Sequence, residues 1–124
     1  MNESKSKILV VEDDNDSLVA ICTMLESLGY EPISYGNPKE ALADIPGKKI
    51  DLALLDIMMP DMNGYQLLEE IKKLPEFKDL PVIMVTAKDQ PSEVLEGYQV
   101  GADYYITKPF NTKQLDWGIK IFLQ

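Results

Sequence analysis

Short apolar runs alternate along this chain with amphipathic stretches of ten or more residues, and no other feature of the sequence restricts the fold as strongly. Parallel strands need crossover connections, usually helices, so this alternation predicts repeated strand–helix units in one parallel sheet. Five such units can be counted. We predict strands at residues 8–11, 33–35, 51–55, 81–85 and 104–107.

The stretches between the strands carry apolar residues at helical spacing, together with residues that start or end helices. Asn37-Pro38 predicts the cap and first turn of the second helix, and Pro91 predicts the start of the fourth. Gly29, Pro75 and Gly101 end the first, third and fourth helices. The predicted core-facing residues are Leu18, Ile21, Cys22, Leu25, Leu28, Leu67, Leu68, Ile71, Leu74, Val94, Leu95, Tyr98, Leu115, Ile119 and Phe122.

The last helix, from about residue 112 to the end, also carries Trp117 and Ile121 on a second face. These two residues fit either ordinary packing or contact with a partner. With 124 residues, the chain fits one domain over residues 1–124, which is long enough to bury roughly two thirds of the surface of its unfolded form. The weak second strand, preceded by Pro32, suits an edge of the sheet.

Polar residues of different chemical kinds follow four of the predicted strands. Glu12 and Asp13 follow the first strand, Asp56 the third, Thr86 the fourth and Lys108 the fifth. Because the carboxyl ends of parallel strands meet at one edge of a sheet, we expect these side chains to converge there.

Three converging carboxylates favour a hard divalent cation, since each close pair repels by roughly 4 kcal/mol at an effective dielectric constant near 20. Magnesium prefers one or two carboxylates with waters and phosphate oxygens. Asp13 and Asp56 provide that set, with Glu12 acting through water. Lys108 can neutralise phosphate charge, and the Thr86 hydroxyl can hydrogen-bond a phosphate oxygen. We therefore predict phosphoryl transfer to Asp56 as an acyl phosphate.

Four segments of the chain carry a family resemblance. They are VVEDD at 10–14, LDIMMPDMNG at 55–64, Thr86-Ala87, and GADYYITKPF at 101–110. In this order and spacing, the whole chain resembles a response regulator receiver domain of two-component signalling. The resemblance implies a doubly wound, flavodoxin-like (βα)5 sandwich of α/β class. Its five parallel strands would lie in the order 2-1-3-4-5, with helices on both faces.

By this resemblance, Asp56 accepts a phosphoryl group from a sensor histidine kinase or a histidine phosphotransfer protein. Mg2+ then lies on Glu12, Asp13, Asp56 and the backbone carbonyl of Met58. The phosphoryl group contacts Thr86, the backbone N–H of Ala87, and Lys108.

Thr86 and Tyr105 correspond to the switch pair of the family, and the Lys108–Pro109 bond resembles its cis peptide. The switch would reshape the face formed by the fourth helix, the fifth strand and the last helix, and so control a partner or an output domain. By the same resemblance, Met58 and Lys88 occupy positions that in this family tune how fast the acyl phosphate is hydrolysed. We expect the bulky Met58 side chain to slow the approach of water.

The amino-acid composition of the chain limits the kinds of partner and the compartment that fit it. The net charge is −9 and all twelve basic residues are lysine, which disfavours nucleic-acid binding by this domain. Many DNA-binding members of the family dimerise through arginine–acid pairs, and the sequence has no arginine, so a homodimer is left open. The single cysteine, Cys22, indicates a reducing compartment. Residues 1–7 match neither a signal peptide nor a membrane anchor, and we expect a cytoplasmic protein.

Other functions fit less well. A flavin-binding module needs a phosphate-accepting first loop, which the acids at 12–14 would repel. Aspartate-based phosphatases resemble Asp-x-Asp, but Met58 replaces the second acid, so we expect a protein that catalyses only its own phosphorylation and dephosphorylation. A calcium loop from Asp61 would need Glu at position 72, where Lys72 stands. The remaining alternative is a receiver that binds partners without phosphorylation.

Overall fold

The structure, a computed structural model, describes residues 5–86 and 101–123. In these residues the strands are β1 (Lys7–Val11), β2 (Glu31–Tyr35), β3 (Leu52–Asp56), β4 (Val82–Thr86) and β5 (Tyr104–Thr107). The helices are α1 (Asn15–Ser27), α2 (Pro38–Asp44), α3 (Gly64–Lys72) and α4 (Thr112–Phe122), with a 3-10 turn at Pro75–Phe77. The predicted fourth helix, with Pro91, Val94, Leu95 and Tyr98, lies outside the described residues, as do Ala87 and Lys88.

The five strands form one sheet in the order β2-β1-β3-β4-β5, and every pair is parallel. This confirms the predicted doubly wound architecture. β2 lies at an edge, as Pro32 indicated, although Pro32 belongs to the strand rather than preceding it. β3 and β4 each extend one residue beyond the predicted range, so Asp56 and Thr86 are the last residues of their strands.

Alternating residues of the strands build two cores, one on each face of the sheet. On one face, Leu9, Leu55 and Met84 pack with the apolar side of α3. On the other face, Val10 and Leu54 pack with the stripes of α1 and α4. Each fully buried aliphatic side chain contributes roughly 1.5–3 kcal/mol, so the two cores hold the strand ends in a fixed arrangement.

The helices begin and end where the local sequence indicates. Asp14 caps α1 by accepting the backbone N–H of Ser17, and Asn37 caps α2 with Pro38 in its first turn. α1 ends before Gly29, whose φ is 89°. In the described part of the chain, no helix is long and apolar enough to cross a lipid bilayer.

Two predicted residues of α4, Leu115 and Ile119, are fully buried, whereas Trp117 is 60% and Ile121 54% exposed. The second apolar face of this helix is therefore not part of the core formed by the described residues. Gly118 lets the helix approach the sheet closely, because an added Cβ would lie 3.2 Å from side-chain atoms of Tyr104 and Ile106.

Candidate functional site

Glu12 occupies the first position after β1 and is almost completely buried, with 1% of its surface exposed. Its backbone N–H donates to the carbonyl of Tyr35 at 3.2 Å, which continues the pairing of β1 with β2. The Oε2 atom accepts the backbone N–H of Asp14 at 3.2 Å, and Oε1 accepts from the Lys108 ammonium. The Glu12 carboxylate is therefore held in one orientation from two sides.

Asp56 ends β3 between the ends of β1 and β4, in register with Val85. It is 6% exposed, whereas Asp13 is exposed. One carboxylate oxygen each from Glu12, Asp13 and Asp56 can be chosen so that all three lie within 4.8 Å of one another. The convergence predicted from the strand ends is present.

Burial raises the pKa of the Asp56 carboxyl from 3.8 to about 7, and the adjacent carboxylate of Glu12 adds to this effect through a hydrogen bond and its charge. The charge of Lys108 and the backbone N–H of Met58, which donates to Asp56, act in the opposite direction. The Asp56 carboxylate is therefore destabilised in its charged form, and a nearby cation would stabilise it.

The Lys108 ammonium connects the two buried acids. Its Nζ atom lies 2.9 Å from Glu12 Oε1 and 3.8 Å from Asp56 Oδ1. The Lys108–Pro109 peptide bond is cis. Burial would lower the pKa of Lys108, but the hydrogen bond with Glu12 and the charges of Asp56, Glu12 and Asp14 outweigh it and raise the pKa. Lys108 is therefore charged at neutral pH.

Gly64 begins α3 directly beneath Asp56. A Cβ added there would lie 2.4 Å from the Asp56 carbonyl oxygen and 2.7 Å from the Met84 methyl group. The backbone N–H of Gly64 donates to the Ile57 carbonyl at 2.9 Å. Only glycine allows this approach without a shift, so Gly64 fixes the acceptor loop against the helix. The sequence pattern did not indicate that Gly64 would lie against the backbone carbonyl of Asp56.

Thr86 and Tyr105 lie on neighbouring strands. Thr86 is buried and pairs with Thr107, while Tyr105 pairs with Met84, two residues earlier on β4. Side chains two residues apart along a strand share a face of the sheet, and Tyr105 packs against the core that contains Met84. The backbone carbonyl of Thr86 accepts the N–H of Lys108 at 2.8 Å. The two predicted switch residues are thus diagonal neighbours on one face.

The donor chemistry of the site fits magnesium. Three carboxylates and a backbone carbonyl in the next loop are hard oxygen donors, and histidine or thiolate ligands, which would favour zinc or copper, are absent among the described residues near them. Met58, whose carbonyl was expected to contribute, stands two residues after Asp56 in the loop that follows β3.

The chain was compared with known families and proteins. Residues 8–120 match the family model described as "Response regulator receiver domain". The Regulatory protein VanRc of Enterococcus gallinarum is 38% identical over 118 residues, which are 95% of this chain and 50% of that protein. The chain spans about half the length of the curated relatives it matches.

Solved structures agree with the sequence match. The chemotaxis protein CheY4 of Vibrio cholerae superposes with a TM-score of 0.92 at 28% identity, covering 97% of this chain and 100% of that one. The receiver domain of the sensor histidine kinase PA1611 of Pseudomonas aeruginosa, solved with a magnesium ion in its active site cleft, has a TM-score of 0.87 at 27% identity and covers 96% and 98% of the two chains.

Proposed function

The chain belongs to the response regulator receiver domain family, and on this premise we propose that it is a phosphorylation switch of a two-component phosphorelay, with Asp56 as the phosphoacceptor. The observation that carries the proposal is the placement of three carboxylates within 4.8 Å of one another, with the Lys108 ammonium 3.8 Å from Asp56 Oδ1. We assign the switch domain to residues 1–124.

In the proposed reaction, an Asp56 carboxylate oxygen forms a bond to phosphorus while the bond from phosphorus to the donor breaks. The donor is a sensor histidine kinase or a histidine phosphotransfer protein. A bound Mg2+ would be held by Glu12, Asp13, Asp56 and the Met58 carbonyl, and would neutralise charge on the phosphoryl oxygens. Such transfer relies mainly on positioning and charge stabilisation.

Lys108 is placed to serve both states of the site. Before phosphorylation it neutralises Glu12 across 2.9 Å. Phosphorylation replaces the charge of the Asp56 carboxylate with a phosphoryl group that carries about 1.5 to 2 negative charges, and the flexible ammonium can then turn toward the phosphoryl oxygens, since Asp56 is already within 3.8 Å. The Thr86 hydroxyl and the Ala87 backbone N–H would donate to the remaining oxygens.

The signal is proposed to leave through Tyr105. Its ring packs against the core beside Met84 and also lines a groove of about 250 Å³ between β5 and α4, together with Tyr104, Gln114 and Trp117. When Thr86 moves toward the phosphoryl group, the Tyr105 ring can follow inward on the same face. The groove would change shape, which alters contact with a downstream protein partner or output domain.

The proposal also covers the catalytic scope, the location and the partners of the protein. The protein acts catalytically only on its own phosphorylation and dephosphorylation, in the cytoplasm. Its domain binds no nucleic acid, which fits the net charge of −9. Homodimerisation is left open.

The test is intact mass after exposure to a small acyl phosphate with Mg2+. We expect a gain of one phosphoryl group in the wild-type protein and none in Asp56→Asn or in the presence of a chelator. The matched control is Asp51→Asn, which changes the aspartate that directly precedes the other end of β3. No gain in the wild-type protein would reject the phosphoacceptor role and favour a receiver that binds partners without phosphorylation.

A further inference from the structure

The methionines near the acceptor differ sharply in exposure. Met58 is 57% exposed, whereas Met59 is 8% and Met84 0% exposed. Met24 and Met62 are intermediate. Among the methionines that the structure describes, Met58 is therefore the most exposed, and it stands two residues after Asp56.

The backbone ties this side chain to the acceptor. Consecutive Cα atoms lie about 3.8 Å apart, so the Cα of Met58, in the loop that follows β3, lies at most about 7.6 Å from that of Asp56. A chemical change in the Met58 side chain is therefore a change at the rim of the acceptor site, where hydrolytic water must enter.

We propose that Met58 is an oxidation site through which peroxides shorten the lifetime of the phosphorylated state. The thioether sulfur attacks one peroxide oxygen, a sulfur–oxygen bond forms, the oxygen–oxygen bond breaks, and water leaves after proton transfer. Sulfur loses two electrons and the peroxide gains them. The product is methionine sulfoxide, which methionine sulfoxide reductases convert back to the thioether.

Oxidation makes the Met58 side chain more polar, and this change is the reason to expect a shorter phosphoryl lifetime. The thioether is apolar and a weak hydrogen-bond acceptor, whereas the sulfoxide is polar and chiral. Its oxygen can accept a hydrogen bond from water beside the acyl phosphate, so the apolar shield at the rim becomes a position that holds water. The inference rests on the proposed function, since it requires a phosphoryl group on Asp56.

The experiment uses the full chain with Cys22→Ser, which removes the one thiol. Cys22 is partly buried and burial raises its pKa, so its removal is a precaution against slow thiol oxidation. The protein is treated with hydrogen peroxide, mapped by peptide mass, phosphorylated with a small acyl phosphate and Mg2+, and followed by intact mass as the phosphoryl group is lost. Met58→Leu in the same background is the matched control.

We expect oxygen uptake at Met58 well before Met59 or Met84, and a several-fold shorter phosphoryl lifetime in the oxidised protein. Met58→Leu should keep its own lifetime after peroxide, and a sulfoxide reductase should restore the original lifetime of the treated parent. An unchanged lifetime with Met58 fully oxidised overturns the proposal, as does equal oxidation of the buried methionines. Failure of the untreated protein to take up a phosphoryl group overturns the proposed function together with this inference.

Discussion

At the amino-terminal edge of the sheet, Asp51 and Asp103 each accept a backbone N–H at the start of a neighbouring strand. Asp51 Oδ2 lies 2.7 Å from the N atom of Lys7, and Asp103 Oδ2 lies 2.8 Å from that of Val82. At the carboxyl edge, Asp56 instead faces the buried carboxylate of Glu12, and its pKa rises to about 7. The aspartates of the amino-terminal edge therefore stabilise the starts of strands. At the carboxyl edge, the charged form of Asp56 is held in an unfavourable environment that a ligand would relieve.

The ion pairs at the two edges repeat this difference. Lys7 and Glu31 lie 3.0 Å apart, and Lys108 and Glu12 lie 2.9 Å apart. The two lysine side chains are similarly exposed, at 30% and 32%, but Glu31 is 51% exposed and Glu12 only 2%. The burial of the acid, rather than the distance, separates an ordinary surface pair from part of a functional site.

The largest expected difference between the two edges is in how their aspartates make the free energy of unfolding depend on pH when no metal is present. A folded pKa of about 7 for Asp56, above its ordinary 3.8, means that the folded state binds a proton more tightly than the unfolded state. The associated stabilisation is present below about pH 4 and is lost as the pH rises to about 7, on the order of 4 kcal/mol. Asp56→Asn should remove this loss, so the variant should be more stable than the wild-type protein at pH 8.

The measurement is the free energy of unfolding by urea, with a chelator, from pH 4.5 to 8. Asp51→Asn serves as the control and should retain the wild-type slope. Added Mg2+ should restore much of the wild-type stability at pH 8, because it binds the folded state preferentially. If the free energy of unfolding depended on pH in the same way in the wild-type protein and in Asp56→Asn, the raised pKa could not be assigned to Asp56.

A smaller difference is expected between the two lysines. Lys108→Gln leaves the Glu12 carboxylate buried without its cation and should cost about 2 to 3 kcal/mol, less than a fully buried pair because Lys108 is partly exposed. Lys7→Gln breaks a pair with an exposed acid and should cost less than about 1 kcal/mol. Urea unfolding of both variants at neutral pH, without metal, measures the contrast. Equal losses would mean that the burial of Glu12 is unimportant to the pair.

An effect smaller than that of Lys108→Gln is expected for the aspartates of the amino-terminal edge. Asp103→Ala removes the carboxylate that accepts the Val82 N–H and should cost about 1 to 2 kcal/mol, because a strand-start donor is left without that partner. Phosphoryl uptake should persist, since Asp103 is at the opposite edge from Asp56. The exposed Asp79→Ala is the control and should unfold like the wild-type protein. Loss of uptake in Asp103→Ala would show that the two edges are not independent.

Much of the fold could be predicted from local patterns. The apolar periodicities placed all five strands, and Asn37-Pro38 marked the start of the second helix, because local backbone preferences and burial act on neighbouring residues. The ends of β3 and β4 were placed one residue early. Each of these two predicted strands was ended at the last apolar residue before a polar one. In the structure, Asp56 still pairs with Val85 and Thr86 with Thr107, and the pattern of apolar residues cannot predict such pairing.

The sequence predicted which residues form the candidate site, but not the contacts that they make with one another. The ion pair between the Glu12 carboxylate and Lys108, a residue 96 positions away in the chain, was not among the contacts predicted from the sequence. The approach of Gly64 to the Asp56 carbonyl and Met84 was likewise absent from the sequence pattern. Both depend on how α3 and the loop after β5 are packed against the sheet.

By itself, then, the sequence determined the kinds of chemical group at the strand ends and their gathering at one edge, since parallel strands with helical crossovers leave no other arrangement for them. Only the tertiary structure decided how those groups affect one another. Burial of Glu12 and Asp56 side by side raises the pKa of Asp56 and draws Lys108 between them, because desolvation and charge interactions depend on distances that close only when the chain is folded.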